Sequence, residues 1–205
     1  MNPRAHTIAD LDAKTSVLVV LDSELDKRSV FLECINSSAD SEITIVLATA
    51  ASGEELISEF DDYESTEDQF EVIDGTIQPE GDEESPSDVK FMPPVSDYLS
   101  DLGSEFNSTL DELETKIDRN QSALQNTVGF YSLGPLLEYG DDPEPVFRFC
   151  CILLSQIEDA GGRAVFVIEN SYTTNINRLE VLFDKRVDLE ITPNGERTRT
   201  LSTTV

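Results

Sequence analysis

Apolar residues fall in short continuous runs separated by polar stretches bearing glycine or proline. Ser16-Val17-Leu18-Val19-Val20-Leu21 is a Val-rich run of the kind buried on both faces of a parallel sheet, and residues 27–35 can form the helix after it. Residues 43–48 repeat the strand pattern, 53–60 the helix, and 70–73 read as a third short strand. From Val95 the apolar positions Val95, Leu99, Leu102, Phe106, Leu110, Leu113 and Ile117 recur at helical spacing, which predicts a long amphipathic helix with Ser96 near its start as a cap. Residues 127–131 read as a fourth strand, weakened by Gly129. Residues 146–160 are apolar around much of a helical circumference, predicting a helix covered on more than one side and ended by Gly161-Gly162. A fifth strand over 164–168, a helix over 174–183 and a strand over 187–192 follow. Pro193-Asn194-Gly195 then leads into a closing strand over 197–203, a hairpin signal.

This alternation predicts an α/β fold, a mostly parallel sheet flanked by helices with a C-terminal β-hairpin. Residues 75–94 interrupt it with Pro79, Pro86, Pro93 and Pro94 among acidic and small polar residues, the composition of an acidic flexible loop. Residues 1–14 read as an N-terminal tail and 15–205 as one domain, since 205 residues suffice for one well-buried core.

Charge changes the picture of the surface. Acidic side chains outnumber basic ones 42 to 14, for a net charge of −28, while hydrophobic residues still make up 39% of the chain. That describes a folded protein under a charged skin. At molar salt the Debye length is about 3 Å and the self-repulsion is largely screened, so the composition resembles that of proteins from extreme halophiles; an acidic mimic of nucleic acid is the rival reading. Direct nucleic-acid binding is not expected, because no segment clusters more than two basic residues. A membrane span is not expected either, because the longest apolar runs, residues 17–21 and 149–154, are far too short. With no apolar stretch behind Arg4, a signal peptide is not expected, and the expected location is cytoplasmic. Cys34, Cys150 and Cys151 lack metal-ligand spacing and read as buried small hydrophobes, so no metal site is expected. His6, the single histidine, falls in the tail and leaves no catalytic triad to assemble.

The strand, turn and helix over residues 17–35 stand where a phosphate-binding loop would sit, and the chain resembles the RecA superfamily of P-loop NTPase-like proteins, closest to its KaiC-like branch. The stretches 131–137, 146–149 and 162–167 are similar to an uncharacterised group of haloarchaeal proteins from that branch, and the resemblance spans about residues 15 to 192.

A working phosphate loop reads G-x-x-x-x-G-K-S/T, its glycines letting backbone N–H groups approach phosphate. Here the frame is Asp22-Ser23-Glu24-Leu25-Asp26-Lys27-Arg28-Ser29: Asp22 and Lys27 stand for the glycines, Arg28 for the lysine, and Ser29 alone is retained. Side chains at the two glycine positions would cost about 1–2 kcal/mol each in a left-handed backbone, so the turn is expected to change shape. At the Walker B position, where the family carries a Mg²⁺-binding Asp, stands Tyr131. The family's paired glutamates after the second strand correspond to Ala50 and Ala51, and Glu54 and Glu55 come later, on the solvated start of a helix. Phosphate cradle, metal ligand and general base are thus lost together.

The resemblance and these losses imply a catalytically inactive pseudo-ATPase acting as an interaction or regulatory module through protein partners, with no cofactor. The alternatives are a nucleotide sensor that binds ATP without cleaving it, using Arg28 and Ser29 at a helix N-terminus, and a self-assembling homo-oligomer. For Arg28, pairing with neighbouring acids is the competing reading. Arg148 reads as an arginine whose stem follows the core and whose head meets water or a carboxylate.

Overall fold

The computed structural model describes residues 14–35, 43–60, 70–76, 94–116, 126–139 and 142–204. Seven strands form one sheet: β1 (Ser16–Leu21), β2 (Ile43–Ala48), β3 (Phe70–Asp74), β4 (Asn126–Phe130), β5 (Arg163–Glu169), β6 (Lys185–Ile191) and β7 (Arg197–Thr203). Their order across the sheet is β3-β2-β4-β5-β1-β6-β7. Every pair is parallel except β6 with β7, which form the C-terminal antiparallel hairpin. Among the described residues six α-helices accompany them: α1 (Lys27–Ile35), α2 (Gly53–Phe60), α3 (Val95–Lys116), α4 (Gly134–Glu138), α5 (Glu144–Asp159) and α6 (Thr173–Leu179).

Strand alternation divides the interior in two. Val17, Val19 and Leu21 of β1 face α1 and α2, in a core with Phe31, Ile35, Val46, Val165 and Val187. Leu18 and Val20 point the other way, into a larger core with Leu102, Phe106, Phe130, Phe149, Leu153, Phe166 and Leu179. The chain moves toward one edge of the sheet from β1 to β3 and toward the other from β3 to β7. Right-handed crossovers then send the helices after β1 and β2 to one face and those after β3, β4 and β5 to the opposite face.

Two glycines shape this packing. Gly129 in β4 lies directly under α1: a Cβ there would sit 2.7 Å from Phe31 Cζ and 2.9 Å from Ile35 Cγ2. What reads in the sequence as a weakness in the strand is the clearance that lets the helix approach. Gly161 takes φ +74° just past α5. Its N–H donates to Glu158 O at 2.9 Å and the Gly162 N–H to Ile157 O at 2.9 Å, the paired bonds of a Schellman ending.

Several expectations need correction. Ser96 is the second residue of α3 rather than its cap, and its hydroxyl donates to Asp97 Oδ1 at 3.3 Å. The helix expected over 174–183 is shorter: α6 ends at Leu179, a 3₁₀ turn (Glu180–Leu182) and an extended Phe183 take the rest, and another 3₁₀ turn (Asn170–Tyr172) precedes it. Helix α5 is covered by the sheet and α3 but keeps a solvent side, where Ile152 is 59% exposed. Cys151 shares that side and is exposed, while Cys34 and Cys150 are buried. Arg148 is exposed instead of laying its stem along the core, but its head does meet a carboxylate as expected, Nε lying 3.3 Å from Glu144 Oε1. Short α4 was not expected at all. The tail through residue 13 with His6, Ile117, and residues 77–93 of the acidic loop lie outside the described residues.

Candidate functional site

Open α/β sheets bind ligands beyond the carboxyl ends of strands, where neighbouring strands send their helices to opposite faces. Adjacent β1 and β5 do so, and so do adjacent β2 and β4. The turn after β1, Tyr131 after β4, Ala50 and Ala51 after β2, and Glu169 at the end of β5 all belong to this one edge.

The turn after β1 is closed by its own hydrogen bonds. Asp22 N–H donates to Leu189 O of β6 at 2.9 Å, and Leu25 N–H to Asp22 O at 3.0 Å. Glu24 N–H donates to Asp22 Oδ1 at 3.1 Å, and Ser23 is exposed at the tip. Asp26 then caps α1. Its Oδ1 accepts the Arg28 N–H at 3.2 Å and its Oδ2 the Ser29 hydroxyl at 2.6 Å. The Ser29 hydroxyl, the largest influence, holds the Asp26 carboxyl below its usual range; burial opposes it, and the Arg28 and Ser29 N–H groups and the Arg28 charge add to the lowering. The helix N-terminus that would attract a phosphate already carries an anion of the chain's own, and Ser29 is committed to that anion. Among the described residues positive φ occurs only at Gly161 and Gly195, so Asp22 and Lys27 sit in ordinary backbone and the left-handed strain does not arise.

Lys27 turns across the strand ends. Its ammonium pairs with Glu169 and lies 5.9 Å from the centre of the Tyr131 ring. Tyr131 is buried, with Phe31 edge-on at 5.3 Å and 72°. The segment after β4 is tied to both neighbouring strands: Tyr131 N–H donates to Leu47 O and Leu133 N–H to Val167 O, each at 2.9 Å. The Thr49 hydroxyl donates to Ser132 O. Ala51 is buried in the same apolar cluster as Tyr131, Phe31 and Leu56, and Ala50 is exposed. Ser52 and Glu55 bond each other's backbone N–H, at 3.2 and 3.3 Å, in a capping box for α2, so Glu55 serves the helix start. Glu54 is exposed beside it.

Three residues that sequence reasoning passed over hold this edge together. Asp26 had a local signal, an Asp immediately before a helix, whereas Glu169 had none, since nothing in the chain order says β5 ends beside Lys27. The third is Asp74. Its Oδ2 accepts the Gly53 N–H at 2.9 Å, and its Oδ1 the Thr76 N–H at 2.9 Å and hydroxyl at 2.7 Å. Burial opposes the charge on Asp74, but these hydrogen bonds outweigh it and its carboxyl titrates below the usual range.

Two cavities open outside this site among the described residues. One of about 300 Å³ opens near the amino ends of β1 and β5, lined by Lys14, Ser16, Cys151, Glu158 and Asp184. The other, of about 470 Å³, lies between α3 and α5 over Leu99, Phe149 and Ile152. Among the described residues no group of three or more His, Cys, Asp or Glu is placed to hold a metal ion, and no helix is long and apolar enough to cross a membrane.

A comparison with curated proteins finds no match. A family model does match over residues 15–189, from the residue before β1 to the middle of β6, and takes in the whole carboxyl edge just described. The chain belongs to that family, a family of unknown function (DUF7504).

Proposed function

We propose that this protein is a RecA-like domain of KaiC-like descent that has lost ATP hydrolysis and serves as an interaction or regulatory module for protein partners, in a cell with high internal salt. The observation that carries the reading is the Asp26 cap. A phosphate loop works by leaving the first N–H groups of its helix for the ligand, and here a carboxylate of the same chain accepts them. A triphosphate would have to displace that carboxylate and approach Asp22 and Glu24 as well. Lys27, the nearest ammonium, is engaged with Glu169. Tyr131 and the two alanines offer neither a hard anionic ligand for Mg²⁺ nor a base for water.

The test is turnover and binding in several molar KCl. The expected outcome is no ATP hydrolysis above background and no heat on titration with ATP, ADP or GTP, with or without Mg²⁺. Hydrolysis that Arg28→Ala abolishes would overturn the proposal. Saturable heat without hydrolysis would replace it with a nucleotide sensor.

A further inference from the structure

Strand β7 ends the sheet, and among the described residues nothing pairs with its outer edge. The pairing with β6 decides which backbone groups face outward. Thr204 N–H donates to Asp184 O and Thr192 N–H to Glu196 O. Hydrogen-bonded and non-bonded pairs alternate along an antiparallel ladder. Between those two anchors the bonded pairs are therefore Arg186 with Ser202, Asp188 with Thr200 and Glu190 with Thr198. Arg197, Arg199, Leu201 and Thr203 direct their N–H and C=O groups away from the sheet. The strand has seven residues, no proline and no carboxylate. An edge of that kind is a template for another strand.

We propose that β7 pairs antiparallel with β7 of a second copy of this chain about a twofold axis, joining the two sheets. Charge selects the partner. Two copies at −28 each repel over most of their surfaces, but the hairpin over residues 185–203 carries four basic residues (Lys185, Arg186, Arg197, Arg199) against three acidic ones (Asp188, Glu190, Glu196). Contact along this edge brings few carboxylates together. The side chains also select one register. With Thr200 facing Thr200 of the second copy, Arg199 faces Leu201, Arg197 faces Thr203, and about eight main-chain hydrogen bonds form. A shift of two residues one way sets Arg199 against itself, and a shift the other way loses hydrogen bonds. In the full register the aliphatic stem of Arg199 covers Leu201, which is 44% exposed in one copy. The Arg197 head does not obstruct the approach, because it is drawn onto Glu33 of α1 at 2.7 Å. The contact uses the same patch on both copies, so assembly stops at two. It is independent of whether the turn after β1 takes a nucleotide.

Light scattering on a sizing column, over a concentration series, tests the pairing. The expected mass rises to twice the 22.7 kDa of one chain. Leu201→Pro removes an N–H that faces outward and leaves every bond to β6 in place, so that variant is expected to stay at the mass of one chain with an unchanged circular dichroism spectrum. A wild type that remains a single chain throughout, or a folded Leu201→Pro that pairs like wild type, overturns the proposal. Should the proline disturb the fold, charge at the same position decides. In several molar KCl, which screens the long-range repulsion between copies more than a pair in contact, Leu201→Lys, set beside Arg199 of the second copy, is expected to weaken pairing about three- to tenfold and Leu201→Glu to tighten it by a similar factor. Equal dissociation constants for those two variants also overturn it.

Discussion

A single methyl group at Gly129 tests whether α1 and the carboxyl edge are one packed unit. The Cβ of Gly129→Ala would meet Phe31 Cζ at 2.7 Å, Ile35 Cγ2 at 2.9 Å and Phe31 Cε2 at 3.0 Å. Phe31 and Ile35 are 0% and 1% exposed, so neither can swing into solvent. With contacts below 3.0 Å against side chains that cannot move aside, the upper part of the overpacking range applies, about 2–3 kcal/mol; replacing a strand glycine by alanine returns about 0.5–1 kcal/mol, leaving a net loss of about 1–2.5 kcal/mol. For a chain of this length that lowers the melting temperature by about 2–10 °C. Thermal unfolding at fixed high salt measures the single variant. The decisive assay is the double-mutant cycle with Phe31→Leu, which removes the ring atoms nearest the new methyl. The two changes should couple favourably by about 1 kcal/mol, the pair being less destabilised than the sum of its parts. Rescue will be partial, because the Ile35 contact remains. An unchanged melting temperature in Gly129→Ala, or strict additivity in the cycle, would refute the claim that helix-to-strand clearance is what this glycine provides.

Two further outcomes follow from the same geometry. Burial pushes the Cys34 and Cys150 thiols up to about 12, while Cys151 is exposed. An aromatic disulfide reagent at pH 8 should therefore titrate one thiol in the native chain and three in denaturant, and Cys151→Ser should bring the native count to zero. Asp74→Asn should lower the melting temperature at pH 7 by about 2–4 °C, the effect of a weakened cap in a chain of this length. The folded-state carboxyl of Asp74 is depressed below its ordinary 3.8, so its contribution is complete above that value and disappears as pH falls through the folded value. The gap between wild type and Asp74→Asn should close over that acid range; a gap that stays constant would place the effect elsewhere.

The elements were legible because each is written in a few consecutive residues. The Val-rich runs of β1 and β5 and the helical spacing of Leu99, Leu102, Phe106 and Leu113 are properties of near neighbours, and so is the Pro193-Asn194-Gly195 turn into β7. The break in the last helix, the short α4 and the exposure of Cys151 were not legible, because they depend on what packs against those residues. The candidate site divides the same way. The sequence alone showed that residues 22–29 do not meet the G-x-x-x-x-G-K-S/T pattern of a phosphate loop, and it carried an Asp immediately before α1, a cap signal that sequence reasoning passed over. Only the tertiary structure brought β5 beside β1, gave Lys27 the Glu169 carboxylate, set Tyr131 among Phe31 and Ala51, and turned Gly129 from a weak strand position into a helix seat. Local pattern follows from the 3.6- and 2-residue periods of the backbone. Contact between distant segments follows from strand order and crossover hand, which are settled by the burial of the whole chain and by no single stretch of it.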